Sequence, residues 1–298
     1  MLSRFAPAPT GFLHLGHVVN AIYVWGITKS LGGRVLLRIE DHDRQRCRPE
    51  FERAILDDLD WLGFIPDEYP TDDFRAGRCP GRQSDRSRIY EDALQKLRAS
   101  GLVYACECSR SDIVAVSTPS DELCYPGTCA AKGLAERPGR GIRIRLAPSI
   151  ERFVDDRHGP VEHRPFEQCG DLLVRDREGN WTYQFAVAVD DLEQGITHVI
   201  RGDDLLVSTG RQIQLARLLG RMVPPQFFHH PLVMKTATQK LSKADRDTSI
   251  RELRADGWKP ADVIERAASL ARIPASLRAA KSFNTEGHRH ERRATGNQ

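Results

Sequence analysis

The residues best placed to do chemistry near the start of the chain are two histidines, His14 and His17, in the turn formed by residues 9–17. This turn lies between a predicted strand and a predicted helix. A helix N-terminus presents free N–H groups and a positive partial charge that can hold an anion. Gly11 and Gly16 would let a nucleotide approach the backbone closely. The pattern predicts phosphate binding at this turn, and simple capping or packing of the two imidazoles is the alternative.

A second candidate is the lysine pair in the segment Lys240-Leu241-Ser242-Lys243, which follows an apolar stretch. Two lysines in one loop can both reach a triphosphate and offset the charge that develops on a leaving pyrophosphate. Lysine-rich surface loops are common, so this segment indicates little by itself. Combined with the histidine turn, it favours an enzyme that handles a nucleoside triphosphate.

Four of the seven cysteines fall within 24 positions, at Cys106, Cys108, Cys124 and Cys129. An odd number of cysteines in a chain without an export signal does not favour a disulfide framework. Thiolates suit zinc, which takes four ligands in a tetrahedron. Spacing alone makes Cys124 the fourth ligand, and reduced cysteines without a metal are the alternative.

Apolar periodicity predicts strands that alternate with helices on both sides of the cysteine segment. Strand, helix, strand and helix are predicted in turn around residues 3–6, 19–27, 35–39 and 50–62. Further helices are predicted at 87–100 and 211–219, and further strands at 140–146, 171–174, 183–189 and 197–200. The strand at 140–146 alternates in polarity and is expected to expose one face. The fold class is therefore α/β, a doubly wound parallel sheet whose ligand binds at the carboxyl ends of the strands.

The composition excludes several classes of protein. The 298-residue chain has no apolar run near the ~20 residues that cross a bilayer, so no membrane partner is expected. No apolar segment opens the chain, which predicts a cytoplasmic protein without a secretory signal. The net charge of +3 comes from residues 275–298, a polar tail predicted to be disordered. A polyanion would therefore have to meet a local basic cluster, and the candidates are Arg78, Arg82, Arg86 and Arg88.

The histidine turn and the lysine segment together resemble the H-x-G-H and K-x-S-K signatures of class I aminoacyl-tRNA synthetases. Three more blocks are similar to those of the glutamyl-tRNA synthetase group: R-F-A-P-x-P-T-G at 4–11, R-I-E-D-x-D at 38–43 and I-R-G-x-D at 200–204. The blocks recur in order over most of the chain. The resemblance implies a Rossmann-type catalytic domain that binds ATP with Mg²⁺ and activates glutamate.

The resemblance also implies roles for individual residues. Catalysis would rest on His14, His17, Lys240 and Lys243, and ATP binding on His14, Gly16, His17 and Lys243. Glutamate would be bound by Arg4, Phe5, Ala6, Pro7, Ala8, Glu40, Tyr183 and Arg201. The chemistry agrees, because a guanidinium pairs bidentately with a γ-carboxylate, a carboxylate receives an ammonium, and a phenol supplies a hydroxyl. A surface salt bridge for Arg201 and a core position for Tyr183 are the alternatives.

The chain is expected to lack the helical anticodon-binding region of full-length glutamyl-tRNA synthetases, since only about 55 residues follow Lys243. It is in this respect similar to the glutamyl-Q tRNA(Asp) synthetase family. That resemblance implies ATP-dependent transfer of L-glutamate to the queuosine base in the anticodon of tRNA(Asp), and we expect a monomer. The family's cysteine pattern is C-x-C followed by Y-x-x-x-C. It implies one structural zinc on Cys106, Cys108, Tyr125 and Cys129, with Cys124 as the alternative to Tyr125.

The expected organisation has a first catalytic half at 1–88, an insertion with the zinc site at 89–170 and a second catalytic half at 171–235. The K-x-S-K loop and a helical stem follow at 236–274, and the tail at 275–298. Two other functions remain open from the sequence. One is a minimal synthetase that charges the 3′ end of tRNA with glutamate. The other is a catalytically inactive RNA-binding paralogue, against which the two intact signatures argue.

Overall fold

The elements that position these residues are defined by a computed structural model, which describes residues 1–116, 123–233 and 248–278. The strands are β1 (Leu2–Phe5), β2 (Arg34–Leu37), β3 (Val103–Cys106), β4 (Gly141–Ile144), β5 (Glu151–Asp155), β6 (Gly159–His163), β7 (Leu172–Arg175), β8 (His198–Gly202) and β9 (Gln226–His230). The helices are α1 (Leu15–Ser30), α2 (Pro49–Leu62), α3 (Thr71–Arg75), α4 (Ser87–Ala99), α5 (Arg110–Val116), α6 (Pro165–Cys169), α7 (Tyr183–Glu193), α8 (Thr209–Leu218), α9 (Ile250–Ala255), α10 (Pro260–Leu270) and α11 (Ala275–Arg278). Two 3₁₀ turns span Gln83–Arg86 and Asp203–Ser208.

The βαβ unit predicted at the start of the chain is confirmed. β1 pairs in parallel with β2, and α1 connects them and packs its buried face on both. β8 runs beside β1, because the N–H of Thr197 donates to the carbonyl of Leu2 at 3.0 Å. β8 pairs in parallel with β9, and β9 with β5. The carboxyl ends of β1, β2 and β8 therefore meet, which is where an α/β sheet binds its ligand.

The expectation of one wholly parallel sheet is wrong in part, because the sheets are mixed. β6 pairs antiparallel with β5, and β3, β4 and β7 form a separate antiparallel sheet. Only three residues separate β5 from β6, and so short a connection permits only an antiparallel hairpin. Among the described strands, parallel pairing occurs between those that longer crossovers connect.

The strand predicted at 183–189 is wrong, because α7 covers these residues. The alternation of aromatic, β-branched and small residues indicated a strand. Yet the whole run from Phe185 to Asp191 is buried, and a helix enclosed on all sides shows no polar stripe that would reveal its period. Tyr183 thus lies at the start of a helix that carries Asp190 and Asp191 two turns later.

The strand predicted at 140–146 is confirmed as β4, but within that range its predicted exposed face is reduced to Arg145, just after the strand ends. All four of its residues are buried. The polar residue Arg143 is buried because its guanidinium donates to the carbonyl of Asp171 at 2.7 Å and to Cys106 Sγ at 3.4 Å. A charged residue can therefore lie on a buried face of a strand when its hydrogen-bond acceptors are buried as well.

The other helices and strands predicted from periodicity are confirmed within one or two residues at most ends, as α2, α4, α8, β7 and β8. The predicted tail begins with a helix rather than with disorder, since α11 covers Ala275–Arg278 and Leu277 packs on the core beside Gly26. Residues 279–298 lie outside the described ranges. None of the described helices combines the length and the apolar content that crossing a membrane requires.

Candidate functional site

The two predicted histidines meet at the N-terminus of α1. His14 is the N-cap, and its Nδ1 accepts from the N–H of Gly16 at 3.1 Å. The N–H of His14 donates in turn to Nδ1 of His17 at 3.2 Å, and the two ring centroids lie 4.0 Å apart. A β-carbon on Gly16 would come within 2.9 Å of the His14 ring, so a larger residue here would force that ring to move. The turn therefore gathers two imidazoles at the positive end of a sixteen-residue helix.

The chain returns to this turn after the segment that holds the lysines. Lys240 and Lys243 themselves lie outside the described residues. Ser249, six positions after Lys243, pairs with His14 in a short antiparallel bridge. Ser249 also caps α9, accepting from the N–H of Glu252 at 3.2 Å. The bridge thus ties the residues that follow one signature to the first histidine of the other.

Residues 4–8 run alongside the chain that leaves β2. The carbonyl of Phe5 accepts from the N–H of Arg38 at 2.9 Å, and the carbonyl of Pro7 accepts from the N–H of Glu40 at 3.0 Å. The Phe5 ring is buried in the core, so Phe5 can contribute to a site only through its backbone. Pro7 is buried and the two alanines of the segment are half-buried. These bonds place Glu40 directly beside the segment.

Two arginines converge on one carboxylate of α7. Nε of Arg4 lies 3.1 Å from Oδ1 of Asp191, and Nη2 of Arg38 lies 2.6 Å from the same oxygen. Burial alone would raise the pKa of Asp191, but the two guanidinium groups hold it below its ordinary value. The carboxylate stays ionised and fixes both arginines at the ends of β1 and β2.

The neighbouring carboxylate, Asp190, binds a different set of donors. It accepts from Gln83 Nε2 at 2.9 Å, from Arg86 Nε at 2.7 Å and from the Tyr90 hydroxyl at 2.9 Å. Sequence reasoning missed Asp190, Asp191 and Arg38. The sequence nevertheless indicates them, because each lies within or beside an apolar run. A charged residue in such a run must be paired when the run is buried.

Glu40 is buried close to Arg38, with its Oε1 3.6 Å from Nη1 of that arginine. Burial raises the pKa of Glu40, and the charges of Arg38 and Arg4 only partly offset this. A buried carboxylate with a raised pKa gains free energy when a further cation approaches. Glu40 is therefore suited to receive an ammonium group.

Tyr183 is half-buried at the first position of α7. Burial and the nearby Glu40 carboxylate raise the pKa of Tyr183 to about 12, against the opposing charges of Arg201 and Arg4. Its hydroxyl therefore keeps its proton at neutral pH and can donate a hydrogen bond. The structure brings Arg4, Glu40, Tyr183 and Arg201 into one electrostatic environment.

Arg201 is buried at the end of β8, with 3% of its surface exposed, which excludes a surface salt bridge. Its Nε donates to Nε2 of His229 at 3.0 Å, Nη1 to Oε1 of Gln212 at 2.7 Å, and Nη2 to Oγ1 of Thr209 at 2.8 Å. These bonds use three of the five guanidinium N–H groups. Among the described residues, no acceptor is found for the second N–H of each terminal nitrogen, so two donors of this guanidinium remain for a carboxylate.

The predicted basic cluster is only partly exposed. Arg86 is buried against an aspartate of α7, and Arg82 pairs with Glu52 at 2.6 Å. Arg78 and Arg88 keep 86% and 94% of their side chains exposed. The expected basic cluster is therefore wrong for Arg82 and Arg86, since neighbouring carboxylates already neutralise their charges.

Three of the predicted metal ligands form a separate cluster that shares no residue with this pocket. The sulfur atoms of Cys106, Cys108 and Cys129 lie within 4.8 Å of one another, with 3.5 Å between Cys108 and Cys129. The Tyr125 hydroxyl lies 3.4 Å from Cys106 Sγ and 4.0 Å from Cys108 Sγ. Zinc–sulfur bonds of about 2.3 Å in a tetrahedron put ligand atoms roughly 3.8 Å apart, so the four side chains fit such an ion.

Between the two candidates for the fourth ligand, the geometry favours Tyr125. Sγ of Cys124 lies 3.8 Å from the carbonyl of Glu167, and Cys124 does not belong to the cluster. The backbone of Tyr125 pairs with that of Gly170, where a β-carbon would collide with the tyrosine carbonyl. The Arg143 guanidinium lies 3.5 Å above the Tyr125 ring, and its positive charge offsets negative charge on the cluster.

The comparison with known proteins agrees with this geometry. The family model of tRNA synthetases class I (E and Q), catalytic domain, matches residues 1–287. The chain belongs to this family of class I synthetases. It is accordingly an enzyme, a ligase of the aminoacyl-tRNA synthetase type, and the resemblance found in the sequence motifs is confirmed.

Two similar relatives within the family carry the same name. A glutamyl-Q tRNA(Asp) synthetase from Rhodobacter capsulatus is 40% identical over 284 residues, 88% of this chain and 98% of the relative. One from Symbiobacterium thermophilum is 40% identical over 283 residues, 91% of this chain and 86% of the relative. Over nearly their whole length, these two synthetases are similar to this chain.

A solved structure in the family extends the likeness to three dimensions. The crystal structure of a glutamate tRNA ligase from Elizabethkingia meningosepticum, in complex with its amino acid, has a TM-score of 0.69 and 30% sequence identity. The match covers 83% of this chain and 52% of that ligase. The chain thus shares the class I synthetase catalytic fold with about half of the ligase.

Proposed function

We propose that this enzyme activates L-glutamate with ATP and transfers the glutamyl group to the queuosine base in the anticodon of tRNA(Asp). Activation of glutamate is supported by one observation above all. Arg4, Glu40, Tyr183 and Arg201 converge at the sheet edge beside the helix that His14 caps. The specificity for queuosine is supported by the names of the two similar relatives.

The pocket can accommodate both ends of glutamate. The two remaining N–H groups of Arg201 suit the γ-carboxylate, because they offer a planar fork. Glu40 suits the α-ammonium, because burial raises the pKa of its carboxylate and a nearby positive charge would stabilise the ionised form. The Tyr183 hydroxyl remains protonated and can donate to a substrate oxygen. The α-carboxylate would then be the group left free to react.

ATP would place its phosphates at the N-terminus of α1, against His14, Gly16 and His17. In the first step an oxygen of the glutamate α-carboxylate attacks the α-phosphorus, and the bond to the β-phosphate breaks to release pyrophosphate. Lys240 and Lys243 would offset charge on the pyrophosphate, and Mg²⁺ would accompany the nucleotide. No enzyme base is needed, because the carboxylate is already ionised. Catalysis consists of positioning and electrostatic stabilisation.

In the second step a hydroxyl of the queuosine cyclopentenediol attacks the acyl carbon of glutamyl-adenylate. The bond between that carbon and the phosphate oxygen breaks, so that an ester forms, AMP leaves and the hydroxyl proton is released to the departing phosphate or to water. Sequence-specific recognition of RNA uses unstacked, splayed bases, and a queuosine in the anticodon loop meets that condition. Arg78 and Arg88, the exposed members of the arginine segment, are suited to contact phosphates near such a loop.

The substrate assignment predicts which RNA becomes labelled. With labelled glutamate and ATP, label should appear on tRNA(Asp) that contains queuosine, and should be absent from the same tRNA without queuosine and from tRNA(Glu). The adduct should survive removal of the 3′-terminal adenosine, because the ester is in the anticodon. Mass analysis of the isolated nucleoside locates it. Label on tRNA(Glu) alone would instead establish a minimal 3′-end synthetase. Absence of glutamate-dependent ATP–pyrophosphate exchange with any tRNA would establish an inactive paralogue.

We also propose that the cysteine cluster holds one zinc ion, with Cys106, Cys108, Tyr125 and Cys129 as ligands. The sulfur separations fit a tetrahedral ion, and a bound zinc would crosslink the insertion by joining β3 to the segment before β4. None of its residues is among those proposed to bind glutamate or ATP, so its role would be structural.

Removing ligands one at a time tests this assignment. Purified protein should contain one zinc per chain by elemental analysis. Cys129→Ser should lose the metal and lower the thermal unfolding midpoint, because binding free energy contributes to folding. Cys124→Ser is the matched control and should keep the metal. Tyr125→Phe should weaken zinc binding in competition with a chelator. Full retention of zinc by Tyr125→Phe, with loss in Cys124→Ser, would contradict the choice of the tyrosine.

A further inference from the structure

Behind the glutamate pocket, three buried side chains form a continuous line from β5 through β9 to β8. Oδ2 of Asp155 lies 2.7 Å from Nδ1 of His229, and Nε2 of His229 lies 3.0 Å from Nε of Arg201. Asp155 and His229 are fully buried and Arg201 is 3% exposed. Neither Asp155 nor His229 has a part in the proposed reaction, yet His229 contacts the arginine that would bind the substrate.

The contacts fix the protonation of the imidazole. A guanidinium Nε–H can only donate, so Nε2 of His229 must be the acceptor and carries no proton. Nδ1 must then carry the proton and donate it to the Asp155 carboxylate. The ring is therefore the neutral Nδ1–H tautomer. Burial and the charge of Arg201 lower the pKa of His229 to about 4, in agreement with the geometry.

Asp155 is itself held rigidly. Its Oδ1 accepts from the N–H of Arg157 at 3.1 Å and of His158 at 3.0 Å, and its Oδ2 also accepts from the N–H of His229 at 3.1 Å. The turn after β5 and the backbone of β9 thus orient the carboxylate, and the carboxylate orients the imidazole. A side chain held in this way can position its neighbour accurately.

We propose that His229 is a positioning residue for glutamate, holding the Nε edge of Arg201 so that its remaining N–H groups face the substrate. The inference rests on the proposed function, in which Arg201 binds the γ-carboxylate. Gln212 and Thr209 hold the two terminal nitrogens, and His229 supplies the third contact that prevents the guanidinium plane from rotating. A buried imidazole is suited to this position because one ring nitrogen accepts a hydrogen bond from the Arg201 cation while the other donates one to the Asp155 carboxylate.

The tautomer can be tested on the free enzyme. Two-bond proton–nitrogen NMR spectra of the histidine rings should show one ring as the Nδ1–H tautomer across neutral pH, and that signal should vanish in His229→Gln. The measurement requires no substrate, so its result is independent of the proposed function. A ring at this position with a protonated Nε2 would overturn the inference.

Kinetics test the positioning role. In ATP–pyrophosphate exchange, His229→Phe should raise the glutamate KM about 10-fold to 100-fold, because Arg201 loses a hydrogen bond that a charged group makes in a buried site. The ATP KM should stay within about twofold, since ATP binds at α1. His229→Gln should recover most of the loss, because its amide oxygen can accept from Arg201. The preference for glutamate over glutamine should fall in the phenylalanine variant, which general loosening of the fold would not produce.

Two further variants separate positioning from stability. His198→Phe, a half-buried histidine at the start of β8, is the matched control and should leave the glutamate KM unchanged. Asp155→Asn keeps the imidazole but weakens its orientation, and should raise the glutamate KM in the same direction as His229→Phe but less. An unchanged KM in a folded Asp155→Asn or His229→Phe, with an active parent enzyme, would overturn the inference. A parent enzyme that shows the tautomer but activates no glutamate would overturn the proposed function instead.

Discussion

Arg201→Ala should raise the glutamate concentration needed for half-maximal ATP–pyrophosphate exchange by about 10²-fold to 10³-fold. Truncating one partner of a buried, hydrogen-bonded charge pair costs on the order of 2 to 5 kcal/mol, and each 1.4 kcal/mol is about tenfold in affinity. The arginine is almost fully buried and three neighbours already hold it, so little rearrangement could compensate for its loss.

Arg201→Lys separates charge from shape. A lysine keeps the positive charge but lacks the planar fork, so its glutamate KM should lie between those of the parent enzyme and the alanine variant. Arg88→Ala removes an arginine with 94% side-chain exposure and is the matched control, whose glutamate KM should not change. The exchange rate at saturating glutamate should fall less than the KM rises. Unchanged glutamate dependence in Arg201→Ala would disprove the pocket.

Lys243→Ala should lower the rate of glutamyl-adenylate formation by about 10²-fold to 10³-fold, the range seen when one preorganised group that stabilises a transition state is removed. Lys243 belongs to the K-x-S-K signature, and the bridge between Ser249 and His14 returns the chain after it to the turn where the phosphates would bind. Pre-steady-state measurement of adenylate in a single turnover isolates this step from transfer to RNA.

The fall should appear in the rate and much less in the glutamate KM, because Lys243 is assigned to the departing pyrophosphate. Lys96→Ala changes an exposed lysine on α4 and should behave like the parent enzyme. A parent-like single-turnover rate in Lys243→Ala would show that the K-x-S-K segment has been assigned to the wrong task.

Much of the fold was predictable where local pattern and tertiary environment agree. β1, α1, β2 and α2 follow from apolar periodicity and a glycine stop, because one side of each element faces the core and the other faces solvent or a partner layer. α7 was not predictable as a helix. It is enclosed on every side, and an enclosed helix loses the polar stripe that distinguishes its period from that of a strand.

By itself the sequence determined the family, the two signature segments, the four residues proposed to bind glutamate and the cysteines that could hold a metal. These features depend on residue type and order, which the chain carries directly. Only the tertiary structure decided that Tyr125 rather than Cys124 lies in the cysteine cluster, that Arg82 and Arg86 are neutralised, and that Asp155, His229 and Arg201 form one line. The physical reason is the same in each case. The partner of a buried polar group lies far away along the chain, and only folding brings the two together.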